Sequence, residues 1–114
     1  MSEIFVFGSN LAGRHGAGSA LEAVKYHGAK HGRGWGHFGN SYAIPTKDRH
    51  LRVLPLQLID QFVRGFVAFA KAHPEYTFNV VAIGCGLAGY RPDQIAPFFE
   101  DAPPNVQLPR EFVI

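Results

Sequence analysis

With a single cysteine, Cys85, the 114-residue chain can form no intramolecular disulfide and no zinc site built on several thiolates, a pattern that fits a reducing compartment. An excess of charge is missing as well. Eleven basic and nine acidic residues leave a formal charge of +2, and the basic residues are scattered, so composition demands neither nucleic acid nor an anionic membrane. No apolar run reaches membrane-spanning length, and Met1 leads straight into a strand-like segment without the basic and apolar regions of a signal peptide. A soluble, cytoplasmic protein is the expectation. Gly-Lys-Ser and Gly-Lys-Thr do not occur, so there is no Walker loop and nucleotide triphosphate hydrolysis is unsupported. Internal repeats and low-complexity segments are absent too. At 46% hydrophobic residues the chain should form one domain that buries roughly two-thirds of its unfolded surface without metal or disulfide staples.

What the sequence does have is glycine, concentrated in residues 32–40, which carry four, and in two further stretches that each follow an apolar strand. Val80-Val81-Ala82-Ile83 reads as a buried strand and runs into Gly84-Cys85-Gly86-Leu87-Ala88-Gly89-Tyr90, where three glycines let the backbone turn tightly with few side chains in the way. Pro92 and Asp93 come next, a proline suited to a first helical position and an acid suited to a first turn. A strand end meeting a helix start offers free N–H groups and a positive dipole end, both of which favour phosphate. The second stretch, Gly8-Ser9-Asn10-Leu11-Ala12-Gly13-Arg14-His15-Gly16-Ala17-Gly18, comes after the apolar strand Ile4 to Phe7. Two such loops make a better phosphate cradle than one, although glycines that serve only the fold would look the same in sequence.

The rest of the chain reads as strands alternating with helices. A helix is predicted from about Ala17, with Ala17, Ala20, Leu21 and Val24 on its apolar face, failing near Gly28 to Gly32. Residues 32–40 form a structured loop in which Trp35 and Phe38 need a place to pack. Ser41 to Pro45 is a short strand running into Thr46, Lys47 and Asp48. Pro55 opens the longest helix, Leu56 to about Ala72, with Ile59, Phe62, Val63, Phe66, Phe69 and Ala70 along one side and His73-Pro74 as its stop. Phe78 to Ile83 is the predicted central strand, residues 93–99 a short helix limited by Pro97, and Asn105 to Leu108 an edge strand among prolines. This order predicts a compact three-layer α/β/α fold with a small central sheet.

Among the candidate chemistries, Gly84-x-Gly86-x-x-Gly89 satisfies the dinucleotide pattern, but no second strand comes after it to end in a ribose-binding acid. His27 and His31 have metal-pair spacing, yet Gly28 lies between them and no glutamate follows the first, so a solvated helix end is the plainer reading. Cys85 would need a base such as His15 to act as a nucleophile, and a small packed side chain is the plainer reading there. Trp35 and Phe38 could stack on a base or simply pack, packing being the simpler role. Lys47 is more informative: it follows an apolar strand through Ile44-Pro45-Thr46, and a lysine stripped of water where loops converge can act as a nucleophile or base. A lysine on an exposed turn is the alternative. Asn10, at the first strand's end, could bond a ribose hydroxyl or support a turn.

Together, the two loops and Tyr42-Ala43-Ile44-Pro45-Thr46-Lys47 resemble the macrodomain family of ADP-ribose binders, over about Ile4 to Phe99. The likeness is strongest to the branch of lysine-dependent glycohydrolases that release terminal ADP-ribose from protein or from thymidine in DNA. Pro45-Thr46-Lys47 and Ile83-Gly84-Cys85-Gly86 carry it most specifically. The resemblance implies that ADP-ribose or a related nucleotide binds between a first loop comprising Gly8, Ser9, Asn10, Gly13, Gly16, Ala17 and Gly18 and a second comprising Gly84, Cys85, Gly86, Leu87, Ala88, Gly89 and Tyr90, with Thr46 beside them. It further implies that Asn10 contacts the distal ribose and that Lys47 and Asn10 are the catalytic residues, Lys47 attacking the anomeric carbon of an ADP-ribosyl linkage on DNA or protein with Asn10 assisting. No cofactor, metal or membrane is implied. Ala88 stands where the protein-directed enzymes carry a catalytic aspartate, so a lysine-plus-aspartate pair is not carried over, and Asp48 is the acid nearest to Lys47 in sequence. A typical macrodomain also has an additional N-terminal strand and an adenine-contacting aspartate before the first loop, whereas Glu3 is the only acid there in this sequence, which leaves a different base or a smaller ligand open. A module that senses or sequesters a nucleotide signal without turnover, and a protein-interaction domain with structural loops, are the competing readings.

Overall fold

Apolar side chains alternate in direction along strand β1 (Glu3–Asn10): Ile4 and Val6 enter one hydrophobic cluster, Phe5 and Phe7 another. Alternation of this kind puts a core on each face of a sheet. The computed structural model, which describes residues 2–113, builds the protein around this strand. After helix α1 (Gly18–Tyr26), strands β2 (Gly36–Phe38) and β3 (Ser41–Lys47) form an antiparallel pair. Helix α2 (Leu56–Ala72), strand β4 (Thr77–Val80), the short helix α3 (Pro92–Ile95) and strand β5 (Val106–Gln107) complete the order. The five strands make one mixed sheet, β2-β3-β1-β4-β5, in which β1 runs parallel to both β3 and β4.

Helices cover both faces. Ala20 and Ala23 of α1 pack on Phe7 and Ala43, where small side chains let helix and sheet approach closely. Opposite, α2 buries Ile59, Val63, Phe66, Val67 and Ala70, and the Phe66 ring meets Tyr42, Phe78 and Phe99 at centroid distances of 5.1, 5.4 and 6.2 Å. Burying a phenylalanine side chain contributes about 1.5–3 kcal/mol, so this cluster anchors the larger core.

The bounds of α2 are those the sequence predicts, and β5 is an edge strand as expected. Elsewhere the structure corrects the expectation. The central strand is β1, not the one preceding Gly84. That strand, β4, ends at Val80: Val81 N–H still donates to Val6 O, but Ile83 N–H turns back to Val81 O at 2.7 Å and the ladder stops. In α1 the buried face is Ala20 and Ala23, while Ala17 is the exposed N-cap residue. Residues 32–40 hold β2 besides turns, and the predicted 93–99 helix divides at Ile95, with Ala96–Phe99 continuing as a 3-10 helix around Pro97. No helix of the described residues is long and apolar enough to cross a membrane.

Candidate functional site

The parallel strands β1 and β3 end side by side, and from there the chain diverges: it leaves β1 for α1 on one face and β3 for α2 on the other. Crevices open at such divergences, at the carboxyl ends of the strands. Here a cleft of about 510 Å³ opens there, lined by Gly8, Ser9, Asn10, Arg14, Gly16, Ala17, Gly18, Ser19 and Ala20 from the first side, Thr46, Lys47 and Leu51 from the second, and Val81 to Gly84 and Gly86 to Ala88 from the third. Its size suits a small-molecule ligand. Arg14 and Lys47 are the only charged residues in the lining, and neither takes part in an ion pair of the described residues. A wall with cations and no carboxylate favours an anion.

A register shift places the lysine. Ser9 pairs with Pro45, which has no N–H to give the ladder, and Asn10 then pairs with Lys47, so one residue of β3 is extra. That residue is Thr46, whose Oγ1 donates to Ser9 O at 3.2 Å. Leu11 N–H in turn donates to Lys47 O at 2.9 Å. Half-buried Lys47 therefore starts at the strand end, on the cleft.

Gly8, Ser9 and Asn10, expected in the first loop, are instead the last residues of β1, where they pair with β3, and this strand end and the loop after it are held by residues 32–34. Ser9 Oγ donates to Gly34 O, Gly32 N–H donates to Gly13 O, and His15 Nε2 lies 3.0 Å from Arg33 O. A Cβ on Gly34 would stand 1.9 Å from Asn10 O, and one on Gly13 would stand 2.4 Å from Gly32 C, so these two glycines serve backbone contact. Asn10 is a loop pin: its Oδ1 accepts from Arg14 N–H at 3.0 Å and its Nδ2 donates to Arg14 O at 2.8 Å. Gly16 and Gly18 differ, since added Cβ atoms there would meet nothing within 4 Å. Beyond them α1 begins without a side-chain cap, and its first turn, Gly18 to Ala20, lines the cleft. Uncapped N–H groups at a helix start are natural partners for an anion.

In the second loop Gly84 has φ +76°, and a Cβ there would come within 3.2 Å of Ile95 Cδ1, whereas Gly86 has open space around it. No hydrogen bond among the described residues uses the N–H of Gly86, Leu87 or Ala88. Helix α3, next in the chain, is not part of the site: Arg91 N–H is taken by Gln94 Oε1, Asp93 pairs with Arg91, and neither reaches the cleft. The helix start that faces the cleft belongs to α1 instead.

No protein-family model, curated protein or solved structure matches this chain. Of the residues expected to bind ligand, Gly8, Ser9, Asn10, Gly16, Ala17, Gly18, Thr46, Lys47, Gly84, Gly86, Leu87 and Ala88 come together, and Gly13, Cys85, Gly89 and Tyr90 lie outside the lining. Tyr90 donates its hydroxyl to Leu54 O at 2.6 Å, and Cys85 packs against the larger core with its thiol pushed up by burial and, secondarily, by Glu111. A thiol held protonated is a poor nucleophile. Asp48 accepts from Arg52 N–H and His50 N–H, which hold its carboxyl below the usual range, and it lies outside the lining. Trp35 packs edge-on against Phe62, and Arg33 lies over Phe38, so neither aromatic lines the cleft. His27 stacks on Phe5 while His31 lies beside His15, and among the described residues no three histidine, cysteine, aspartate or glutamate side chains gather to hold a metal. Sequence reasoning missed Arg14, Ser19, Ala20, Leu51 and Val81 to Ile83. A cation inside a glycine loop was the available signal for Arg14; Leu51 gave none.

Proposed function

We propose that the cleft binds ADP-ribose or a related nucleotide, with its phosphates between the two glycine loops, in a three-layer α/β/α arrangement like that of the macrodomains. The observation that carries this reading is the convergence of both loops, an uncapped helix start, Arg14 and Lys47 on one cleft whose lining has no carboxylate. Such a wall suits phosphates and leaves room for the sugars beside them. In the enzymatic form, the Lys47 amine attacks the anomeric carbon of an ADP-ribosyl linkage on DNA or protein through its nitrogen lone pair. A C–N bond forms as the glycosidic bond breaks, the acceptor leaves with the bonding pair and takes the amine's proton, and water then cleaves the adduct to return the lysine.

One observation favours a second, non-catalytic reading. Asn10 has both amide atoms bonded to Arg14, and Asp48 is bonded within its own turn, so Lys47 has no acid–base partner among the lining side chains. In that form the cleft senses or sequesters the nucleotide and Lys47 pairs with its phosphates. Calorimetry with ADP-ribose, using AMP and ribose-5-phosphate as controls, then repeated on Lys47→Ala, separates the readings. Binding kept with turnover of ADP-ribosylated DNA or protein lost supports catalysis. Binding lost, with no turnover in the parent, supports a charge clamp, and no ADP-ribose binding at millimolar ligand sinks the nucleotide reading itself.

A further inference from the structure

Leu51 is the only non-glycine among the described residues with a positive φ, 64°, a region that L side chains rarely adopt. Its turn is built to hold it there. Asp48 Oδ1 accepts from His50 N–H at 2.8 Å and Arg52 N–H at 2.9 Å, Asp48 N–H donates to Arg52 O at 2.8 Å, and Leu51 N–H donates to Asp48 O at 3.1 Å. Glycine or asparagine would make this turn with less strain, and the leucine adds little to the core because it is 42% exposed. Leu51 instead belongs to the lining of the cleft, as does Leu87, which is 82% exposed and comes from the second glycine loop. Strained residues of this kind gather at ligand clamps, and exposed leucines lining the same cleft as Arg14 and Lys47 suit a ligand with an apolar part and an anionic part.

We infer that Leu51 and Leu87 form an apolar clamp for the heterocyclic base of a phosphorylated nucleoside whose phosphates lie with Arg14 and Lys47. This rests on the nucleotide reading and adds to it how the base is held: by apolar contact, without an acid to read its edge. Purine nucleotides that differ only in ring substituents therefore bind similarly, and ligands that lack a base bind less well.

The test titrates the parent, Leu51→Gly and Leu87→Ala with ADP-ribose, ADP, GDP and inorganic pyrophosphate, and records each melting temperature. Leu51→Gly should melt no lower than the parent, because glycine accepts this φ freely, yet both variants should bind ADP-ribose and ADP at least about tenfold more weakly. Pyrophosphate affinity should stay at the parent value. Variants that bind ADP-ribose as the parent does overturn the clamp alone, as does an equal loss of pyrophosphate affinity, which would mean a disturbed loop. A parent that binds neither ADP-ribose nor ADP overturns the nucleotide reading, and the clamp with it.

Discussion

Glycines that look alike in sequence separate sharply once their surroundings are known. Gly34 faces the Asn10 carbonyl so closely that a Cβ would stand 1.9 Å from the oxygen, while a Cβ on Gly86 would meet nothing within 4 Å and needs no positive φ. Gly34→Ala must therefore move backbone under the first loop and should cost about 3 kcal/mol, whereas Gly86→Ala should stay within about 0.5 kcal/mol of the parent. Urea unfolding of the two variants checks this, and equal destabilisation would refute the division. If Gly86 is there for the ligand, Gly86→Val should leave folding intact and weaken ADP-ribose binding. Nothing in the local sequence could separate these roles, because the atom that decides for Gly34 belongs to Asn10, far away along the chain. Lys47 was more legible. Its place after an apolar strand fixed where its backbone ends, although the shift that makes Thr46 extra and sets Lys47 opposite Asn10 depends on the pairing with β1.

At the scale of elements, α2 was fully legible because its signals are local: Pro55 before it, His73-Pro74 after it, and an apolar face at helical spacing. The central strand was not, since four apolar residues before Gly84 look buried whether or not a neighbour continues beside them. The turn over residues 48–52 was equally opaque, and it carries a pH dependence. Asp48 is held as a carboxylate by the Arg52 N–H first and by the His50 N–H and the charges of both residues besides, so its folded pKa lies below the unfolded value. A depressed acid contributes stability that is fully present above the unfolded pKa, about 3.9, and that is lost as pH falls through the folded pKa. The turn should hold from pH 7 down to about 5 and loosen below about 4. Amide exchange at His50 and Arg52, corrected for intrinsic rates, should rise in that acid range, and in Asp48→Ala it should be fast at every pH. Protection that persists below the carboxylate range would mean that the backbone bonds alone hold the turn.

For the molecule as a whole, the two glycine loops were legible one by one, but their meeting was not. It arises from the strand order, which sets β1 between β3 and β4 and brings the first loop, Lys47 and the residues after Val80 to one end of the sheet. A ligand held there touches segments that enter the chain at three separate points, so binding should be linked to global unfolding rather than to one loop. A ligand that binds only the folded state at about 100 times its Kd adds about 2.7 kcal/mol of stability. At roughly 4 °C per kcal/mol for a domain of this size, ADP-ribose should raise the Tm by on the order of 10 °C, in one transition. Pyrophosphate, which would reach the cationic wall but not Leu51 and Leu87, should raise it less at the same concentration. A scan in which ADP-ribose shifts only an early, partial transition would show that the cleft is assembled by one mobile segment and not by the sheet, while identical shifts from both ligands would confine recognition to the phosphates.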